Sequence, residues 1–343
     1  MNANAPVASD LTPTSARITA TIDGNGGATI NQHGVVYSKT NLTPTLADGK
    51  VEIGSTNGPF PLLAGATLTG LEANTSYYAR AYATNDKGTA YSSAITFKTA
   101  LPAPTYTFAT HVTGSTNILG NTSTISTAAL NNNANAILII TANWEGGNVY
   151  NKNPVGVYYT GGQWRVFNQN LTAMPTGLKY NLLITNPTDQ AFKHVATAAN
   201  SSGNTTILDH PLLNDKPGAR LLVTQRWNGT YNNSAVGVWY SSGRWRIFNQ
   251  TFSRPIVPGA EFNVVIDNGI FTTEAQAGKI TGNHFLIEPA VPASTSYVFL
   301  THYWTSVYNT QEVGVWKPST WSIYNQDNSV NMPVGSKFFV LTR

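Results

Sequence analysis

Apolar residues in this chain come in short runs that alternate with polar ones, and Gly, Pro, Asn and Ser interrupt the runs every few residues. Alternation with period two marks half-buried β-strands, and the interruptions mark turns. One pair of runs occurs three times. Val236-Gly237-Val238-Trp239-Tyr240 is followed by Arg244-Trp245-Arg246-Ile247-Phe248-Asn249-Gln250. The counterparts are Val155–Tyr159 with Gln163–Gln169, and Val313–Lys317 with Thr320–Gln326. Gly156, Gly237 and Gly314 lie 81 and 77 residues apart, a period near eighty. Each copy predicts a β-hairpin closed by a short turn, Gly161-Gly162 or Ser241-Ser242-Gly243 in the first two. In the second strand Trp245, Ile247 and Asn249 share one face, as do Trp164, Val166 and Asn168, and Trp321, Ile323 and Asn325. The Val/Ile neighbour makes that face the buried one, so these tryptophans are expected in the core and the asparagines on backbone. In the first strand a glycine beside Tyr158, Trp239 or Trp316 permits close approach by another ring, by backbone or by a ligand.

Further positions recur with the hairpin. Trp144, Trp227 and Trp304 end apolar strands, and Tyr150-Asn151, Tyr231-Asn232 and Tyr308-Asn309 each precede the hairpin glycine by six residues. A Pro/Gly turn then leads into a last strand through Tyr180, Phe262 or Phe338, while His111 and His194 correspond without a third histidine. The repeats are placed at 106–186, 190–268 and 270–343. This set resembles an uncharacterised tandem-repeat family of secreted bacterial proteins. The resemblance implies extracellular use and brings no catalytic residues.

Residues 5–99 form a different unit with none of the eight tryptophans. Leu71-Glu-Ala-Asn74-Thr75-Ser-Tyr77, running into Tyr78-Ala-Arg80-Ala-Tyr82, with Gly88-Thr-Ala-Tyr91 and Phe97-Lys-Thr99, resembles fibronectin type III in the variant common in secreted Bacteroidetes proteins. The resemblance implies an antiparallel sandwich acting as a spacer, with Leu71 and Tyr77 forming a tyrosine corner, although the proline expected two residues after the leucine is Ala73. Two prolines stiffen the linker 100–105. The fold class is therefore all-β: a fibronectin type III-like sandwich followed by three related antiparallel β modules.

Composition narrows the function. Only 10% of residues are charged, and 20 cations face 16 anions with no basic cluster, so nucleic acid is not an expected partner. No apolar run has the roughly 18 residues of a membrane helix, and membrane insertion is not expected. The absence of cysteine removes disulfides, thiolate metal sites and cysteine nucleophiles. No recurrent Asp, Glu or His pair suggests catalysis, so neither an enzyme nor a cofactor or metal is expected, and melting should ignore reductant and chelator. The N-terminal Met1-Asn-Ala-Asn-Ala-Pro6 is not a signal peptide. Either a leader has been replaced by a start methionine or the protein leaves the cell by another route.

What remains is an abundance of aromatic faces and side-chain amides. Sugars present apolar C–H faces to rings and hydroxyls to amides. The leading expectation is a non-catalytic extracellular or cell-surface protein that binds a glycan or surface polymer multivalently. The alternative is a structural part of a surface appendage or phage particle, virion-associated and capable of self-association, whose rings are packing units. The candidate ligand residues are Tyr231 and Asn232 with Trp239, Tyr150 and Asn151 with Tyr158, and Tyr308 and Asn309 with Trp316. The competing expectation is that each pair closes its loop, Asn bonding backbone and Tyr covering the core edge.

Overall fold

The computed structural model describes residues 4–100, 102, 104–145, 149–292 and 294–343. These fall into two compact units, 1–103 and 104–343. The linker expectation over 100–105 lies partly outside the described residues, at 101 and 103.

Unit 1 is a two-sheet sandwich. Val7–Ser9, Ser15–Ile22 and Leu62–Thr69 form one sheet; Gly49–Thr56, Ile30–Ser38, Ser76–Asn85 and Gly88–Tyr91 form the other, with Ile95–Lys98 also on Ser76–Asn85. Ser15–Ile22 buries every second residue, Ala16, Ile18, Ala20 and Ile22, so its alternation becomes one wall of the core. The core includes Ile18, Val35, Leu68, Tyr77 and Phe97. The tyrosine corner is present: the Glu72 N–H donates to the Tyr77 hydroxyl at 2.9 Å, and Leu71 is buried beside it. Ala73 in place of proline does not prevent it.

Among its described residues unit 2 has three seven-stranded sheets, and each draws strands from two repeats. In one, repeat 2 supplies Ser201–Ser202, Thr205–Leu208 and the hairpin Val236–Ser241/Arg244–Asn249; repeat 3 supplies Val298–Tyr303, Lys337–Thr342 and Phe271–Glu274. The sheet carrying the repeat 1 hairpin is completed by repeat 2, and that carrying the repeat 3 hairpin by repeat 1. Pairing within a repeat is antiparallel. The junction is parallel, with Gly237 and Val238 opposite His302 and Tyr303, Ala142 and Asn143 opposite Gly314 and Val315, and Val157 opposite Arg226. One hydrogen bond is the same at all three junctions: Trp227, Trp304 and Trp144 donate their backbone N–H to Val157, Val238 and Val315, each at 2.9 Å. The three related β modules thus share their sheets and close a ring about a pseudo-threefold axis.

Threonines close a smaller ring inside. The N–H of Ile140 donates to Thr224 Oγ1 at 3.0 Å, that of Val223 to Thr301 Oγ1 at 2.8 Å, and that of Leu300 to Thr141 Oγ1 at 3.2 Å. One apolar cluster spans all three repeats, combining Ile139, Val264, Trp245 and Phe299 among others. Trp164, Trp245 and Trp321 are 0%, 0% and 2% exposed, so the face assignment for the second hairpin strand is correct. The hairpin glycine admits a ring, as one of its permitted neighbours. A Cβ at Gly156 would meet Phe167 at 2.9 Å, at Gly237 Phe248 at 2.7 Å, and at Gly314 the Tyr324 hydroxyl at 2.7 Å.

Candidate functional site

The Phe/Tyr-Asn-Gln that ends each hairpin locks the ring internally. Asn168, Asn249 and Asn325 accept from the Nδ2 of Asn151, Asn232 and Asn309 at 2.8, 2.8 and 2.7 Å. Each then donates to two backbone carbonyls of the turn that follows, as Asn249 does to Arg254 and Pro255. The next residue reaches the neighbouring repeat. Gln169, Gln250 and Gln326 accept the backbone N–H of Asn232, Asn309 and Asn151 at 3.2, 3.2 and 3.0 Å.

Asn151, Asn232 and Asn309 are therefore buried, with their amides engaged inside the fold. The expectation that these loop amides face a ligand is replaced: they close their loops, as the competing expectation had it, but through the hairpin asparagine side chains rather than through backbone. The loops fold inward over the axis, and an amide buried there must be bonded. Around the axis lies a cavity of about 80 Å³, lined by Asn151, Asn309, Gln250, Gln326, the threonines, His302 and Glu312. Glu312 stands where repeat 2 has Ala235, is half-buried beside the cavity, and is pushed up to about 8 by desolvation. Burial likewise lowers His111 and His194 to about 4 and His302 to about 3.

These shifts act on opposite sides of neutrality. Folded Glu312 keeps its proton more tightly than the unfolded chain, so its contribution is present below about pH 4.5 and lost as pH rises through about 8. The histidines hold theirs less tightly, so their contribution is present above about 6.5 and lost as pH falls through about 4. Glu312→Gln is expected to leave denaturant stability nearly unchanged at pH 5 and to raise it at pH 9. Equal losses in both proteins between those values would show that Glu312 does not carry the alkaline limb.

The tyrosines of the loop pairs turn the other way, to the surface, and meet rings from the preceding repeat. Tyr308 lies 5.6 Å from Trp304 and 5.8 Å from Phe248, while Trp304 stands edge-on to Trp239 at 5.4 Å and 85°. At the next junction Tyr150 packs on Trp144 and Tyr324, and Trp144 meets Trp316 at 5.4 Å and 81°. At the third, Tyr231 packs on Trp227 and Phe167, and Trp227 meets Tyr158 at 5.6 Å and 76°. The same four-ring constellation thus stands at each junction. Tyr231 and Tyr308 are 42% and 38% exposed, and the remaining members shade from half-buried to buried.

This corrects the grouping expected from spacing. Tyr308 stands with Trp239, Tyr150 with Trp316, and Tyr231 with Tyr158, because the parallel junction sets the strand-end tryptophan of one repeat against the hairpin of the repeat before it. Trp144, Trp227, Trp304, Phe167, Phe248 and Tyr324 were not among the candidate residues. Their threefold recurrence is visible in sequence, but their convergence depends on pairing between repeats. Two of the constellations enclose clefts, of about 110 Å³ beside Trp239 and Trp304 and about 40 Å³ beside Trp316 and Trp144. Among the described residues no group of three His, Asp or Glu is placed to hold a metal ion.

Against known families, a domain of unknown function, DUF7452, matches three times, over residues 75–184, 162–266 and 253–342. The chain belongs to the DUF7452 family. Successive DUF7452 matches overlap over residues 162–184 and 253–266, within the ends of repeats 1 and 2, and the first begins inside unit 1. Among curated proteins none matches. Similar solved structures include the sensor domain of the anti-sigma factor RsgI4 in Pseudobacteroides cellulosolvens, 26% identical over 28% of this chain and 90% of that one, with a TM-score of 0.23. The fibronectin type-III domain of human fibronectin type III domain containing protein 3 is 15% identical over 29% and 84%, TM-score 0.21. The FN1-FN3 domains of chicken CNTN1 are 13% identical over 77% and 92%, TM-score 0.23.

Proposed function

We propose that the three DUF7452 repeats form a non-catalytic carbohydrate-binding unit that works at the cell surface or outside the cell, with residues 5–99 as its spacer. The observation that carries this is the threefold repetition of a partly exposed tyrosine over edge-on indole or phenol rings. Pyranose C–H faces stack on such apolar ring surfaces. Hydroxyl contacts fall to half-buried side chains lining the clefts, such as Thr205, Asn283 and His284, since the Asn and Gln amides of the motif are bonded inside. Three weak sites held by one closed ring gain avidity on a polymer that presents repeated sugars.

A glycan array probed with the intact chain tests the proposal. The expected result is binding to a restricted set of glycans, reduced about tenfold or more in Tyr231→Ser/Tyr308→Ser while the melting temperature holds. A clean negative on the array defeats it and favours the structural role in an appendage or particle.

A further inference from the structure

The three ring constellations are not equal: besides Tyr324 where the others have Phe167 and Phe248, they differ at three positions. The hairpin aromatic is Tyr158, Trp239 or Trp316. The strand beside it contributes Thr122, Thr205 or His284 at matched registers, opposite Phe167, Phe248 and Tyr324. Two residues past the hairpin glutamine stands Leu171, Phe252 or Asn328.

Each difference changes the space. His284 packs edge-on against Trp316 at 5.2 Å, and the cleft there is about 40 Å³. Thr205 is smaller, and the cleft beside Trp239 is about 110 Å³. At the junction of repeats 1 and 2, Tyr158 packs edge-on against Phe167 at 5.4 Å, and the four rings close on one another in a cycle. Only the junction of repeats 2 and 3 combines an indole, a short neighbour and a further aromatic at the rim. That rim residue, Phe252, is 72% exposed and stands edge-on to Tyr308 at 6.3 Å and 70°. An exposed phenyl contributes little to folding, and its apolar face beside a cleft is a ready ligand platform. Phe248, which is buried, lines the inner side of the cleft, and rings from both repeats wall it.

We infer that the cleft between repeats 2 and 3 is the principal site and that it takes a terminal pyranose, stacked on Phe252 with one edge directed between Trp239, Trp304 and Tyr308. A cleft of about 110 Å³ has room for one sugar ring at most, and a terminal residue meets that limit without burying its neighbours. This inference rests on the carbohydrate reading and goes beyond it, because it makes the other two junctions weak accessories.

The test uses the intact chain and a panel of methyl pyranosides (gluco, galacto, manno and N-acetylglucosaminide). Tryptophan fluorescence is the readout, since Trp239 and Trp304 line the cleft. At least one glycoside is expected to shift the emission. Phe252→Asn, which places there the residue found in repeat 3, is expected to weaken it tenfold or more without changing the melt. Thr205→His is expected to weaken it by filling the cleft, and Leu171→Asn to leave it unchanged. Undiminished affinity in both Phe252→Asn and Thr205→His overturns the inference while the carbohydrate reading stands. Array binding to longer glycans with no methyl pyranoside bound overturns the terminal-sugar assignment, and no binding to either overturns both proposals.

Discussion

Trp245→Ala is expected to lower the stability of all three repeats together, by roughly 3–5 kcal/mol, the usual cost of removing a large core aromatic. Trp245 is fully buried, and its indole N–H donates to the Lys216 carbonyl at 2.9 Å. Its ring lies 5.7 Å from both Tyr303 and Phe339, which belong to repeat 3. The cavity left by alanine would therefore open between repeats. An isolated second repeat is a poor vehicle for this measurement, because its hairpin needs strands from repeat 3 and its other strands need the hairpin of repeat 1. The intact chain serves instead. All eight tryptophans lie in the repeats, so a fluorescence-detected melt reports on them alone. One transition, shifted as a whole, is the expected record. A second transition, with part of the signal melting at the wild-type temperature, would show that the repeats unfold independently.

Replacing Asn151, Asn232 and Asn309 together with alanine is expected to have the next largest effect. Each change leaves a buried hairpin asparagine without its partner, and an unsatisfied buried group costs about 1–3 kcal/mol. Denaturant midpoints of the three single variants and the triple would show the losses, and the triple variant should be close to unfolded at room temperature. A triple variant that unfolds at the wild-type midpoint would mean that these bonds contribute nothing to stability.

Much of this was legible in the chain. The period, the hairpins and the buried faces of Trp164, Trp245 and Trp321 follow from alternation and spacing, and the Leu71/Tyr77 corner from the resemblance to fibronectin type III. The neighbourhood of Asn232 left two roles open, a ligand contact and closure of its loop, and did not show its partners. A Tyr-Asn pair in a loop suggests exposure of both, yet the tyrosine turns out and the asparagine turns in. The reason is Gln169, which accepts the Asn232 N–H at 3.2 Å from 63 residues away in the preceding repeat. The partnership of Tyr308 with Trp239 was hidden for the same reason. Parallel pairing between repeats leaves no mark in either strand, since both are apolar runs that would suit an antiparallel neighbour as well.

The shared sheets also set a rule for copy number. A polypeptide with one DUF7452 repeat has a hairpin lacking a neighbour on one side and a strand lacking one on the other, so its unsatisfied edges match those of its own copies. Three such chains can build the same ring, and residues 190–268 expressed alone are expected to sediment as a trimer. Two repeats leave the circle open, and a fourth has no place to insert once three have closed.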